Sequence, residues 1–262
     1  FAKMLGMKVV FTHHGPDYDR DKWGTVAKMV LKIGERLGCY FADHVIVISD
    51  VIRRLIKQKY DRTSNIHLIY NGVPEATPTN DLSYLDELGL TPGSFILGMC
   101  RFVPEKNLHH LISAFSELKQ TDIKLVIAGD ADFHDNYYKQ LVKQAQEAGV
   151  ILTGFVKGHK LNSLLSHCRT YCLPSSHEGL PIALLEAMSY GANVIVSDIP
   201  ANKEVNLPAE CYFQCGNVEQ LSNKLFEAIN TPYSRTNYDM THYNWETIAN
   251  QTQSVYNACI DP

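Results

Sequence analysis

Short apolar runs of strand type alternate with segments of helical period along almost the whole chain, and that alternation leaves few folds open. In the first part, residues 8–12, 44–49 and 66–70 read as strands, with helical segments at 22–41 and 51–60 between them. Asn71-Gly72-Val73-Pro74 breaks the rhythm, and the Pro-, Thr- and Asn-rich stretch 74–81 reads as a linker. The rhythm then restarts, with strands expected at 95–100, 124–128, 150–152, 170–173 and 193–197. Helices are expected at 107–119, 136–148, 159–168, 182–190 and 218–230. Apolar strands alternating with helices build a parallel sheet covered on both faces. The expectation is a doubly wound domain over 75–240, part of a second Rossmann-like domain over 1–74, and a C-terminal helix within 241–262 that packs back toward the latter.

Composition narrows the class. At 262 residues and 45% hydrophobic content the chain is an ordinary packed globular protein. Its net charge of −4 exerts no general pull on nucleic acid, so any anion must be held by a few chosen residues. The seven cysteines lack close C-x-x-C spacing, and Cys100, Cys168 and Cys172 sit in apolar runs. They read as reduced core residues of a cytoplasmic protein, with no zinc site. No apolar run reaches the roughly 18 residues of a membrane span, which leaves peripheral membrane contact open.

In doubly wound sheets ligands bind beyond the carboxyl ends of the strands, so those residues carry the functional reading. Arg101 and Lys106 stand in the loop after 95–100, and Arg101 can bind a phosphate in bidentate fashion while Lys106 adds a point charge. A pair of surface cations is the plainer reading. Gly129 follows 124–128, and Gly154-Phe155 follows 150–152, where glycine lets a ligand approach the backbone and an aromatic ring can stack on a base. Ordinary turn chemistry explains either glycine as well. His13 and His14 end the first strand, but neighbours on a strand point to opposite faces, so they do not form a pair of metal ligands. One of them reaching into a cleft is the functional reading, and a satisfied strand-end histidine the structural one.

The segment 175–198 carries the most chemistry. Pro181 suits the first position of a helix and Gly191 its stop, which puts Glu186 on the helix and Glu178 just before it. Eight residues at about 1.5 Å each place the carboxylates on the order of 12 Å apart, too far to share a proton and suited to gripping two parts of an extended ligand. Backbone donors near Leu180 and Pro181 at the helix start favour a phosphate. Glu186 lies among Ile182-Ala183-Leu184-Leu185 and Ala187-Met188, where a carboxylate is costly without a partner.

Taken in order, these residues resemble a known family. The carriers are His14-Gly15, Val45-Ile46-Val47-Ile48-Ser49, Ile69-Tyr70-Asn71-Gly72-Val73, Arg101 with Glu105-Lys106, Ile127-Ala128-Gly129-Asp130, Leu152-Thr153-Gly154-Phe155, and Ser175 through Glu178-Gly179 to Glu186-Ala187. By them the chain resembles the family 4 retaining glycosyltransferases of GT-B fold. The run His14-Gly15-Pro16-Asp17-Tyr18 with Arg20 and Lys22-Trp23-Gly24 looks like a bacterial subgroup that builds surface polysaccharides. The resemblance implies a nucleotide-sugar donor, UDP-linked by preference, on the second domain. Glu186 would bind the ribose, Arg101 and Lys106 the diphosphate, Gly154-Phe155 the base edge, and Gly179, Leu180 and Pro181 would lend donors near sugar and phosphate. Glu178 would face the transferred sugar and His14 would reach toward it. The acceptor would be a saccharide or lipid-linked saccharide, and neither a metal nor another cofactor is required.

Two departures matter. Cys100 stands where the family usually has Gly, which narrows the phosphate approach. Phe1 leads almost directly into the first strand, so the opening strands of the first domain, and with them much of the acceptor site, are expected to be missing. A chain of this length is then expected to bind donor and to transfer slowly or not at all. A nucleotide-sugar epimerase of the same fold, a phosphorylase and a non-catalytic nucleotide-sugar-binding module are the alternatives. Nothing marks the pyridoxal lysine a phosphorylase needs, and the intact Arg101, Lys106, Glu178 and Glu186 argue against the other two.

Overall fold

The computed structural model describes residues 2–16, 18, 23–118 and 122–260. The described chain forms two compact units, 1–72 with 241–262, and 73–240.

In the first unit β1 (Val10–His13), β2 (His44–Val47) and β3 (Ile66–Leu68) pair in parallel in that order, Val10 opposite His44 and Val45 opposite Ile66. α1 (Thr25–Phe41) and α2 (Asp50–Tyr60) connect them. Ser49 caps α2, its hydroxyl accepting the Ile52 N–H at 3.3 Å, with Asp50 in the first turn where the helix dipole favours an acid. α10 (Trp245–Ile260) belongs to this unit, and its Ile248 and Val255 close a small core with Ile46 and Ile69. Gly72 is small for a reason: a β-carbon there would stand 2.5 Å from the Trp245 indole.

The second unit holds a six-stranded parallel sheet. Its strands are β4 (Phe95–Met99), β5 (Lys124–Ala128), β6 (Ile151–Gly154), β7 (Thr170–Leu173), β8 (Asn193–Ser197) and β9 (Tyr212–Phe213), in the order β6-β5-β4-β7-β8-β9. Around them lie α3 (Ser83–Glu87), α4 (Leu108–Glu117), α5 (Asn136–Glu147), α6 (His159–His167), α7 (Ile182–Ser189), α8 (Pro200–Lys203) and α9 (Val218–Asn230). β4 and β7 are buried almost throughout, the consequence of strands apolar on both sides. The main core runs from Ile96 and Leu125 through Leu108, Leu111 and Ile112 to Leu221 and Leu225.

The chain passes from β4 to β5 and β6 on one side, then returns to lay β7, β8 and β9 on the other. The direction reverses between β4 and β7, the switch point beyond whose strand ends doubly wound sheets leave a ligand crevice.

Several boundaries differ from the sequence reading. β6 runs through Thr153 and Gly154, so Gly154 ends the strand and does not follow it. The expected 107–119 and 22–41 helices are Leu108–Glu117 and Thr25–Phe41; Lys22 and Lys119 lie outside the described residues, as do Asp17 and Arg20. α3, α8 and the two-residue β9 are additional.

Candidate functional site

The loops after β4 and β7 are stitched together at the crevice. After β4 the chain makes a 3-10 turn over Pro104–Lys106 and then places Asn107 in the left-handed region, φ 50°, ahead of α4. The Asn107 side-chain amide donates to the Pro174 carbonyl at 3.1 Å, and the Ser176 N–H donates to the Glu105 carbonyl at 2.8 Å. On this seam Lys106 Nζ meets Glu178 Oε1 at 2.6 Å, with 16% and 9% of the two side chains exposed. Two residues 72 apart in sequence, each selected for a different part of a ligand, are thus one ion pair. Behind the seam the Ser175 carbonyl accepts from the Ser197 hydroxyl, whereas the buried Ser175 hydroxyl has no partner among the described residues.

From Glu178 the chain enters α7. Pro181 has φ −79° and ψ 77° and caps the helix without being its first residue. It has no N–H, so the expected backbone donor there is absent. Its carbonyl accepts from Leu184 and Leu185, and the Ile182 N–H folds back to the Leu180 carbonyl at 2.9 Å. The donors lie one step earlier: among the described residues the N–H groups of His177, Glu178, Gly179 and Leu180 meet no acceptor. Successive N–H groups ahead of a helix form a cradle for an anion. The Leu180 and Pro181 side chains are buried and serve packing.

α7 carries one charge. Leu184, Leu185, Ala187 and Met188 are buried, and Glu186 projects into the wall of a cavity of about 550 Å³ at the β4 side of the crevice. Met99, Cys100 and Arg101 from the end of β4, Ala128 to Asp132 from the end of β5, and Phe155 to Lys157 complete most of that wall. Among the described residues the Glu186 carboxylate has no hydrogen-bond partner, and burial raises its pKa above the ordinary carboxylate value. The sequence reading asked for a partner, and the chain does not provide one. Burial also pushes the Cys100 thiol up to about 12, so it is a neutral wall group.

Gly129 sits where the wall is tightest. With φ 135°, it brings its α-carbon so close to the Cys100 carbonyl that an added β-carbon would stand 1.9 Å from that oxygen. Glycine alone permits both the backbone angle and the contact. Gly154, φ 68°, has open space beside it, and the Phe155 ring is 77% exposed at the rim.

Arg101, Gly129, Phe155 and Glu186 therefore come together in one wall, next to the Lys106–Glu178 pair. Arg101 Nη1 lies 3.2 Å from Asp132 Oδ2, an exposed pair that a stronger anion can displace. Asp132 was missed by the sequence reading, although it follows Gly129 by only three residues. Among the described residues no group of three His, Cys, Asp or Glu side chains could hold a metal ion. His14 lies in the first unit and is exposed; His13 beside it is buried.

The order of strands and the reversal between β4 and β7 define a doubly wound α/β unit of the GT-B glycosyltransferase class. Residues 88–245, more than half of the chain, match the glycosyl transferases group 1 family, and residues 1–77 match glycosyltransferase family 4. The chain belongs to the glycosyl transferases group 1 family. It is 30% identical over 200 residues to the uncharacterized glycosyltransferase YqgM of Bacillus subtilis (strain 168), covering 74% of this chain and 53% of the relative. It is 30% identical over 213 residues to UDP-Gal:alpha-D-GlcNAc-diphosphoundecaprenol alpha-1,3-galactosyltransferase of Escherichia coli, 77% of this chain and 54% of that one. The chain thus spans about half the length of these two relatives. The crystal structure of Anabaena Alr3699/HepE in complex with UDP-glucose superimposes with a TM-score of 0.79 at 20% identity, over 100% of this chain and 74% of the other, which shows a shared fold.

Replacing Glu186 by glutamine is expected to act in opposite directions on stability and binding. A carboxylate whose pKa is raised by burial costs stability in its ionised form, increasingly as pH rises from the ordinary value of 4.5 through the raised one. Glutamine removes that cost, so the thermal midpoint at neutral pH should rise. Under a nucleotide-binding role it also removes a charged acceptor for a ribose diol, worth about 1.5–3 kcal/mol, so nucleotide affinity should fall roughly 10- to 100-fold. In the native chain the same affinity should decline as pH falls through the raised pKa. Calorimetric titration with UDP between pH 5 and 8, alongside thermal melts, checks both signs.

Proposed function

We propose that residues 73–240 hold the nucleotide of a sugar donor and that the whole protein is a retaining glycosyltransferase acting in polysaccharide synthesis. The observation that carries this reading is Glu186, a half-buried carboxylate without a partner of its own. It stands in the wall of a cavity whose neighbouring loops supply two cations and a row of unpaired N–H groups. A ribose diol would satisfy Glu186, and the diphosphate would take Arg101, Lys106 and the N–H groups of residues 177–180. The base would lie against Gly154 and Phe155. A diphosphate-binding cation set at this place stabilises the charge that develops as the glycosidic bond breaks.

Uridine is the proposed base. The galactosyltransferase relative uses UDP-Gal by its name, and HepE is described with UDP-glucose. The acceptor is proposed to be a saccharide or lipid-linked saccharide, as that relative's diphosphoundecaprenol suggests. No helix among the described residues is long and apolar enough to cross a membrane. Contact with such an acceptor is proposed to be peripheral, at the cytoplasmic face. Neither a metal nor a further cofactor is proposed.

In the proposed mechanism Glu178 holds a hydroxyl of the donor sugar, Lys106 holds its carboxylate in place, and the acceptor attacks on the leaving-group face. His14, exposed on the first unit, is proposed to contact the same sugar.

A thermal-shift screen of UDP, GDP, ADP and their sugars tests the donor. A ligand at 100 times its Kd adds about 2.7 kcal/mol of stability, so one nucleotide series should stand out and UDP should lead it. Hydrolysis of the leading nucleotide-sugar without acceptor separates a transferase from a binding module. Trapping of a covalent sugar on Glu178, or full turnover by Glu178→Gln, would overturn the role given to that residue.

A further inference from the structure

A knot of polar groups in the first unit surrounds Glu35, which is 7% exposed on the inward face of α1. We propose that Glu35 is a positioning residue: with the His13 ring it clamps the His14–Gly15 turn, and so sets where the His14 side chain stands. What His14 does there rests on the reading above; the clamp itself does not.

β1 ends at His13, and strand alternation sends His13 inward, 3% exposed, and leaves His14 outside. Both nitrogens of the His13 ring are occupied. The Gly15 N–H donates to Nδ1 at 3.0 Å, and Nε2 lies 3.1 Å from Glu35 Oε2. Since Nδ1 accepts, the proton is on Nε2 and is donated to Glu35, which makes His13 the neutral Nε2–H tautomer. Burial lowers the His13 pKa and so favours that neutral ring. Gly15 has φ 129°, a conformation reserved for glycine, and the bond to Nδ1 closes the turn in it.

The clamp is anchored from three elements. Glu35 Oε1 receives Lys59 Nζ at 2.6 Å, the Tyr18 hydroxyl at 3.2 Å and the Tyr60 hydroxyl, and Lys59 Nζ also donates to the Tyr18 hydroxyl at 2.6 Å. Burial opposes a charge on Glu35, but the bonds from Lys59, Tyr60 and His13 outweigh it and hold the pKa below the ordinary value. Lys59 and Tyr60 are the last residues of α2, so one carboxylate ties the end of β1 to α1 and α2. A leucine would fill this space, but it would strand the Lys59 ammonium and the hydroxyls that now meet the carboxylate, so Glu35 also serves stability. What a leucine cannot do is receive the Nε2 proton and fix the ring that holds the turn.

Nitrogen-15 ring spectra and amide exchange on the whole chain test this. In the native protein His13 should show a single Nε2–H tautomer and the Gly15 amide should be protected from exchange. An unprotected Gly15 amide, or mixed His13 tautomers, would overturn the clamp without any variant. Glu35→Gln keeps an acceptor and should keep both signatures. Glu35→Leu strands Lys59 and should lower the thermal midpoint; below that midpoint it should lose the tautomer signature and at least tenfold of the Gly15 protection, and retention of both would overturn the proposal. With UDP-glucose as probe, Glu35→Leu should leave the affinity within twofold while abolishing the ligand-induced shift of the His14 ring. A native His14 ring that ignores UDP-glucose would instead overturn the role given to His14 in the reading above, while the His13 and Gly15 signals still decide the clamp.

Discussion

Gly129→Ala is expected to abolish nucleotide binding and to lower the thermal midpoint of the 73–240 unit by on the order of 10 °C. The added methyl would stand 1.9 Å from the Cys100 carbonyl oxygen, and the backbone angle of 135° disfavours any side chain. Neither partner is a flexible side-chain end: Gly129 and Cys100 follow the paired strands β5 and β4, so relief requires those strand ends to separate. The backbone angle alone costs about 1–3 kcal/mol. With the clash added, about 3 kcal/mol or more is expected, and in a unit of this size each kcal/mol moves the midpoint by roughly 2–4 °C. Gly154→Ala is the control. Its φ of 68° carries a cost of about 1–2 kcal/mol, but nothing lies within 4 Å of the new methyl. Melts of the two variants should therefore differ sharply, and a Gly129→Ala chain that melts and binds UDP like the native one would sink the argument.

Lys106→Ala carries the second large effect, and here stability and binding can be separated. Removing the ammonium leaves Glu178, 9% exposed, as a nearly buried charge without its partner at 2.6 Å. Breaking such a pair from one side costs about 3–5 kcal/mol, far more than an exposed pair such as Arg101–Asp132. Under the proposed reading the same lysine also binds the diphosphate, and losing a charged hydrogen bond of about 1.5–3 kcal/mol weakens affinity roughly 10- to 100-fold. The double variant Lys106→Ala with Glu178→Gln should regain most of the lost stability, because the stranded charge is gone. It should regain none of the affinity. A double-mutant cycle read by denaturant melts and by calorimetry gives both couplings, and recovery of affinity together with stability would mean that Lys106 serves only Glu178.

The order of the main elements was legible because the longer strands of the second unit are apolar runs and most of its helices are amphipathic; α3, α8 and β9, of five, four and two residues, are too short to carry such a pattern. The site was legible in part. Arg101, Gly129, Phe155 and Glu186 stand at strand ends or on the helix after β7, where sheet topology alone directs attention, and the structure brings them to one wall. The pairing of Lys106 with Glu178 was hidden because it depends on β4 and β7 lying side by side, a fact of strand order that no local pattern states. Asp132 escaped for a similar reason, its importance being its distance from Arg101 and not its own surroundings. Pro181 misled slightly: proline favours helix starts, but here its carbonyl caps the helix while the donors come from residues 177–180. Glu35 was unreadable as a hub, since its four polar neighbours come from β1, the following loop and α2, and a Glu on an amphipathic helix ordinarily faces water.

The central claim is that the crevice between β4 and β7 holds a nucleoside diphosphate from the cradle of residues 177–180 to Glu186. Backbone amide shifts of the 262-residue chain, followed during titration with UDP, test it most directly. The account predicts saturable shifts concentrated at residues 177–180, Arg101, Gly129, Gly154 and Glu186, with few changes around β8 and β9. No saturable shifts with UDP, GDP or ADP, or shifts centred away from that crevice, would contradict it.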